Sequence, residues 1–180
     1  ATKVQDYRTI ATGPKKGDKF EVEIPTSIIG SIEFKNSAVI QFFLSFDVIN
    51  HQRNHIELYG TKGSMIVPDP NMFGGSVFLS CTESGEWKEY SSSDMLIGKT
   101  NIFNKSVRSN EEPEVANYRG VGLSEMIDAI ENKRTNRCNG KLSLHVLDII
   151  DSTINAAING AEQNLRTSCE KPVVFSENEI

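Results

Sequence analysis

The sequence predicts an α+β fold: an open-faced, mainly antiparallel β-sheet with helices packed on one face. Three observations carry that prediction. Short apolar–polar alternations of period two fill the first two-thirds of the chain. Turn-forming residues punctuate them at hairpin intervals. Two stretches with apolar residues at helical spacing close the chain, and strands followed by helices define the α+β class.

The alternation is clearest from Ser27, where Ile28, Gly30, Ile32 and Phe34 face one way and Ser27, Ile29, Ser31 and Glu33 the other. Lys35-Asn36-Ser37 supplies a polar turn that tolerates left-handed backbone. The next run sets Ala38, Ile40, Phe42, Leu44, Phe46 and Val48 against Val39, Gln41, Phe43, Ser45 and Asp47. Strands follow at residues 55–59 and 64–67 around Gly60-Thr61-Lys62-Gly63, then at 76–81 and 87–90 around Glu83-Ser84-Gly85. The pattern is an antiparallel meander. Its first face is wholly apolar and requires a cover of helices. The second mixes Ile29, Val39, Phe43, Tyr59 and Phe78 with polar residues, less clean than a solvated face. That mixture suggests contact with another surface, a second copy of the chain among the options, and the alternative is scattered surface hydrophobes.

Residues 91–117 break the pattern. They are polar, aperiodic and about twice the length at which structureless loops become unusual, which marks a binding loop, a lid or disorder. Beyond them Leu123, Met126, Ile127 and Ile130 recur at helical spacing, with Lys133 and Arg134 suited to that helix's C-terminal end. Val146, Leu147, Ile150, Ile154, Ala157 and Ile158 form a second stripe, ended by Gly160 as a cap.

Composition narrows the function. The chain has 180 residues, which reads as a single domain, 1–180. Apolar residues make up 38%, enough for a modest core. With 19 Lys and Arg against 24 Asp and Glu the net charge is -5 and no long basic run occurs, so no nucleic-acid partner is expected. No apolar run approaches the roughly 20 residues that cross a bilayer, and no signal-peptide pattern opens the chain. No membrane partner is expected. The start at Ala1 reads as a fragment or processed product. Cys81, Cys138 and Cys169 match no zinc or redox spacing, and an odd count suits a reducing, cytoplasmic setting.

Few motifs suggest chemistry on their own. Gly120-Val121-Gly122 opens a helix as phosphate-binding turns do, but no strand precedes it and Glu125 replaces the third glycine. Those glycines read instead as a place of close backbone approach. His51 and His55 have a metal-binding interval only if helical, and His55 begins a strand. His145 lies one helical turn from Asp148, a pair that reads as a structural hydrogen bond.

Several longer blocks carry more. "GPKKGDKFEVEIPT" (13–26), "SFDV" (45–48), "IELYGTKGSMIVPDPNMFGG" (56–75), "NYRGVGLSEMIDAI" (117–130) and "HVLDII" (145–150) stand in this order. Together they resemble the C-terminal domain of the glucose–fructose oxidoreductase / myo-inositol dehydrogenase / MocA family, from Arg8 to Pro172. The resemblance implies a parent NAD(P)-dependent oxidoreductase with NAD or NADP held by an N-terminal Rossmann domain that is absent here. This chain would be its substrate-binding and oligomerisation domain, acting on a sugar, polyol or related carbonyl compound and forming a homo-oligomer through the sheet.

Alone, the chain would be inert and bind no nicotinamide cofactor and no metal. It carries none of the family's catalytic residues, because the Asp-x-x-x-His helix is missing. Glu170-Lys171-Pro172 repeats the family's catalytic tripeptide in the wrong place, so Lys171 reads as a surface lysine. Tyr118 and Arg119, on the loop entering the first helix, and His51, after the "SFDV" strand, carry over as substrate-binding residues. The alternative is a non-catalytic binding or scaffolding module that retains the same sheet.

Overall fold

Antiparallel pairing joins the strands throughout the computed structural model, which describes residues 1–95, 97–103 and 114–176. In chain order the strands are β1 (Tyr7–Thr9), β2 (Lys19–Glu21), β3 (Ser27–Glu33), β4 (Val39–Ser45), β5 (Ile56–Gly60) and β6 (Gly63–Val67). After them come β7 (Ser76–Cys81), β8 (Trp87–Ser91), β9 (Ile102–Phe103) and β10 (Glu114–Val115). Helices α1 (Val121–Glu131) and α2 (Gly140–Asn159) follow. The class is α+β, as the alternation predicts. Among the described residues the strands form four sheets, β1-β2, β3-β4, β5-β6-β7-β8 and β9-β10, and the chain divides into two compact units.

The first unit comprises Ala1–His51 and Gly140–Glu170. Its central ladder pairs Ile28 with Leu44, Gly30 with Phe42 and Ile32 with Ile40 on one face. Ile29 with Phe43, Ser31 with Gln41 and Glu33 with Val39 fill the other, as the period-two reading requires. The turn forms where expected. Ser37 takes a positive φ of 66°, and the Asn36 side chain accepts the Ala38 N–H at 3.1 Å.

Strand β4 ends three residues before the sequence pattern does. There the Asp47 N–H bonds the Ser45 hydroxyl at 3.0 Å, and its carboxylate takes the hydroxyls of Thr26 at 2.5 Å and Ser27 at 2.7 Å. A local side-chain network has replaced the ladder.

In the same unit the buried Asp148 of α2 accepts the N–H groups of Arg166 at 2.8 Å and Thr167 at 2.9 Å and the Thr167 hydroxyl at 2.8 Å. This clamp folds the following chain back onto the helix. Gly160, at φ 64°, caps α2 by donating to the Ala156 carbonyl at 2.9 Å, as expected. The apolar stripe of α2 is another matter. Val146, Leu147, Ile150 and Ile158 are exposed, so the expected cover of helices over a sheet face is not observed among the described residues.

The second unit comprises Gln52–Asn139 and Lys171–Ile180. In its four-stranded sheet Leu58, Met65 and Leu79 line one face, and Glu57, Ile66, Phe78 and Glu89 the other. Tyr59 shares the face of Glu57 and Phe78, because residues two apart on a strand point the same way. The single mixed face expected from sequence is thereby divided. Residues 46–55 form no strand, which leaves Ile29, Val39 and Phe43 on one sheet and Tyr59 and Phe78 on another.

The described part of the stretch 91–117 contains regular structure. Ser92–Asp94 form a 3-10 turn, and β9 pairs with β10. Residue 96 and residues 104–113 of that stretch lie outside the described residues.

Candidate functional site

Three loops of the second unit meet at the entry to α1. In the first, the Asp69 side chain accepts the Asn71 N–H at 2.9 Å and its carbonyl accepts the Met72 N–H at 3.0 Å, a turn built by aspartate's short acceptor. Gly75 ends this loop at φ 102°, where a Cβ would stand 2.8 Å from Pro68, so glycine is required. A backbone bridge then pairs Phe73 with Ala116, fastening the first loop to the third. The second loop joins through Asn101. Its side-chain amide accepts the Asn117 N–H at 2.8 Å and donates to the Asn117 carbonyl at 3.0 Å, extending the β9–β10 ladder by one imitation strand residue.

Tyr118 and Arg119 stand on this frame. The Tyr118 ring meets Phe73 edge to face, with centroids 5.9 Å apart, and its hydroxyl donates to the Lys99 carbonyl at 3.0 Å. Arg119 places its guanidinium carbon 5.9 Å from the Phe73 ring centre and donates through Nη2 to the Asn71 carbonyl at 3.3 Å. Its backbone N–H reaches the Asn117 side chain at 3.3 Å. Two of the three site residues expected from sequence are therefore neighbours on one aromatic ledge. His51, the third, is the last residue of the first unit's leading segment and is exposed.

Phe73 and Asn71 are not among the site residues expected from sequence. The signal was available: both lie in the block 56–75, and Tyr118 and Arg119 lie in the block 117–130. The fold brings the two blocks together.

Other charged groups serve structure. Glu125, 6% exposed, is held by Arg134 through two bonds of 2.7 Å, by the Arg137 guanidinium at 2.6 Å and by the Arg137 N–H at 3.0 Å. The Arg134 bonds, with those from Arg137, outweigh burial and push the Glu125 carboxyl down to about 2. Arg134 also pairs with Asp128. Arg137 donates to the Val173 carbonyl at 2.8 Å, and its guanidinium carbon lies 4.3 Å from the ring centre of Phe175, tying down the segment after Lys171.

This network reverses the expected helix pattern. The buried positions of α1 are Glu125 and Ala129, while Leu123, Met126, Ile127 and Ile130 are exposed. Lys133 and Arg134 lie beyond the helix end. The expectation of close backbone approach at Gly120 and Gly122 is also corrected, since a Cβ at either would meet nothing within 4 Å.

In the first unit the expected His145–Asp148 bond is indirect. Thr167 stands between them: its hydroxyl is 2.9 Å from His145 Nδ1 and donates to Asp148. The Thr167 hydroxyl, with the backbone N–H groups, holds the Asp148 carboxyl below the usual carboxylate range despite its burial. Lys171 is exposed, as its reading as a surface lysine implies. No helix among the described residues is long and apolar enough to cross a membrane.

Compared with known proteins, the chain matches no family model, no curated protein and no solved structure.

Proposed function

We propose that this chain is the substrate-binding and oligomerisation domain of a cytoplasmic NAD(P)-dependent oxidoreductase acting on a sugar, polyol or related carbonyl compound. The observation that supports this reading is the meeting of the blocks 56–75 and 117–130 as Phe73, Tyr118 and Arg119. An aromatic ledge offers a flat apolar surface to the C–H face of a sugar. The adjoining guanidinium and phenol offer polar contacts to its oxygens, the division of labour expected of a small-molecule site. In this reading NAD or NADP is held by a separate Rossmann domain, which supplies hydride transfer, while this chain binds and orients the substrate.

The test is a screen of the full-length protein against sugars and polyols with each nicotinamide cofactor. Turnover of a polyol that is lost in Phe73→Ala supports the reading. Polyol binding without turnover favours the scaffolding module, and neither activity nor binding contradicts both.

The oligomer contact in this proposal is the β3–β4 face carrying Ile29, Val39 and Phe43. Ile29 is 75% and Phe43 52% exposed, and the two lie directly opposite across the ladder. Burying each such side chain contributes about 1.5–3 kcal/mol against an association cost of roughly 4–15 kcal/mol. A two-fold contact uses the patch twice and closes that gap. Phe43→Glu is expected to convert dimer to monomer with the fold intact, as read by light scattering. A wild-type monomer at tens of micromolar would contradict it.

A further inference from the structure

We infer, building on the reading above, that Arg119 makes the ledge a carboxylate site, so that the substrate class is a sugar acid or similar polyhydroxylated carboxylate. Arg119 is held on two sides, by the Asn71 carbonyl and the Phe73 ring. Among the described residues no carboxylate lies within ion-pair distance of it. The unit's Arg134 and Arg137 both close on Glu125. Arg119 thus bears the ordering cost of a long side chain without a counter-charge among the described residues. Its planar fork keeps further N–H donors beyond the one given to Asn71, in the geometry that receives a carboxylate through two parallel bonds.

The neighbours suit the rest of such a ligand. The Tyr118 hydroxyl spends its proton on the Lys99 carbonyl, which leaves the phenol oxygen to accept a ligand hydroxyl. Phe73 supplies the apolar surface. A phosphate would use the same fork. A lone guanidinium supplies a single positive charge, however, which balances a carboxylate and leaves a phosphate dianion half compensated.

The test compares D-glucuronate, D-glucose and D-glucose 6-phosphate on the 180-residue chain by saturation-transfer NMR titration. D-glucuronate is expected to bind about tenfold more tightly than D-glucose. Arg119→Gln should bring the two affinities to within about twofold, and Arg119→Lys should restore only part of the difference because the fork is lost. Equal binding of glucose and glucuronate, or a preference that survives Arg119→Gln, overturns the carboxylate assignment while leaving the sugar-binding reading in place. Tighter binding of the phosphate overturns it in favour of a phosphorylated substrate. Failure of all three sugars to bind removes the sugar-binding reading together with the assignment.

Discussion

Helix α1 has an arginine at its entry and two more beyond its exit, and the fold treats them in opposite ways. Past the exit, Arg134 and Arg137 turn back onto the buried Glu125, which receives a two-pronged bond from one and both a side-chain and a backbone bond from the other. At the entry, Arg119 lies exposed on an aromatic ring with a single backbone carbonyl as its side-chain partner among the described residues. The difference teaches where each charge can be used. A carboxylate removed from water demands close donors on every side, and supplying them consumes the arginines. A guanidinium left at the surface, with no counter-charge among the described residues, retains donors that no internal partner uses.

Breaking the closed end has the largest expected effect. Glu125→Ala leaves two arginines facing a cavity where their shared carboxylate stood, and the unfolding midpoint should fall by about 10 °C. The same residue sets a pH dependence. Its folded carboxyl titrates at about 2, below the ordinary 4.5, so its contribution is complete above 4.5 and is lost as pH falls toward 2. Thermal unfolding followed through that window should steepen in the wild type and flatten in Glu125→Gln. An identical pH profile in the two proteins would mean that Glu125 is not the linked group.

Asp148 extends the comparison to the first unit, where two backbone N–H groups, the Thr167 hydroxyl and the Arg166 side chain share the satisfying. Asp148→Asn removes the charge but keeps one oxygen to accept, and a smaller drop of about 5 °C is expected. Hydrogen exchange should localise the loosening to the amides of Arg166 and Thr167. Unchanged protection there would contradict the clamp. The smallest effect belongs to the open end. Tyr118→Phe loses the bond to the Lys99 carbonyl and should cost about 1 kcal/mol or less in denaturant unfolding. A larger loss would make Tyr118 part of the frame instead of the ledge.

Much of the strand pattern was legible because side-chain alternation and turn chemistry are local. The Ile28–Leu44 register and the Asn36 turn follow from spacing alone. The short pairs β1–β2 and β9–β10 were not legible, since two or three residues are too few to establish a period. The sense of α1 was misread for a physical reason. Apolar spacing assigned its buried face, whereas burial at Glu125 is decided by arginines nine and twelve positions later, which no window of one helix contains. Tyr118 and Arg119 were identified through their sequence block, but their platform, Phe73, depends on the backbone bridge from Phe73 to Ala116. That long-range pairing leaves no periodic trace.

The central claim is that Arg134 is committed to the fold and Arg119 is held in reserve. Calorimetric unfolding of Arg119→Gln and Arg134→Gln, run side by side on the same chain, tests it most directly. The account predicts that Arg134→Gln unfolds about 10 °C below the wild type while Arg119→Gln stays within about 2 °C of it. A midpoint for Arg119→Gln that falls as far as that of Arg134→Gln would contradict it, because both arginines would then be structural.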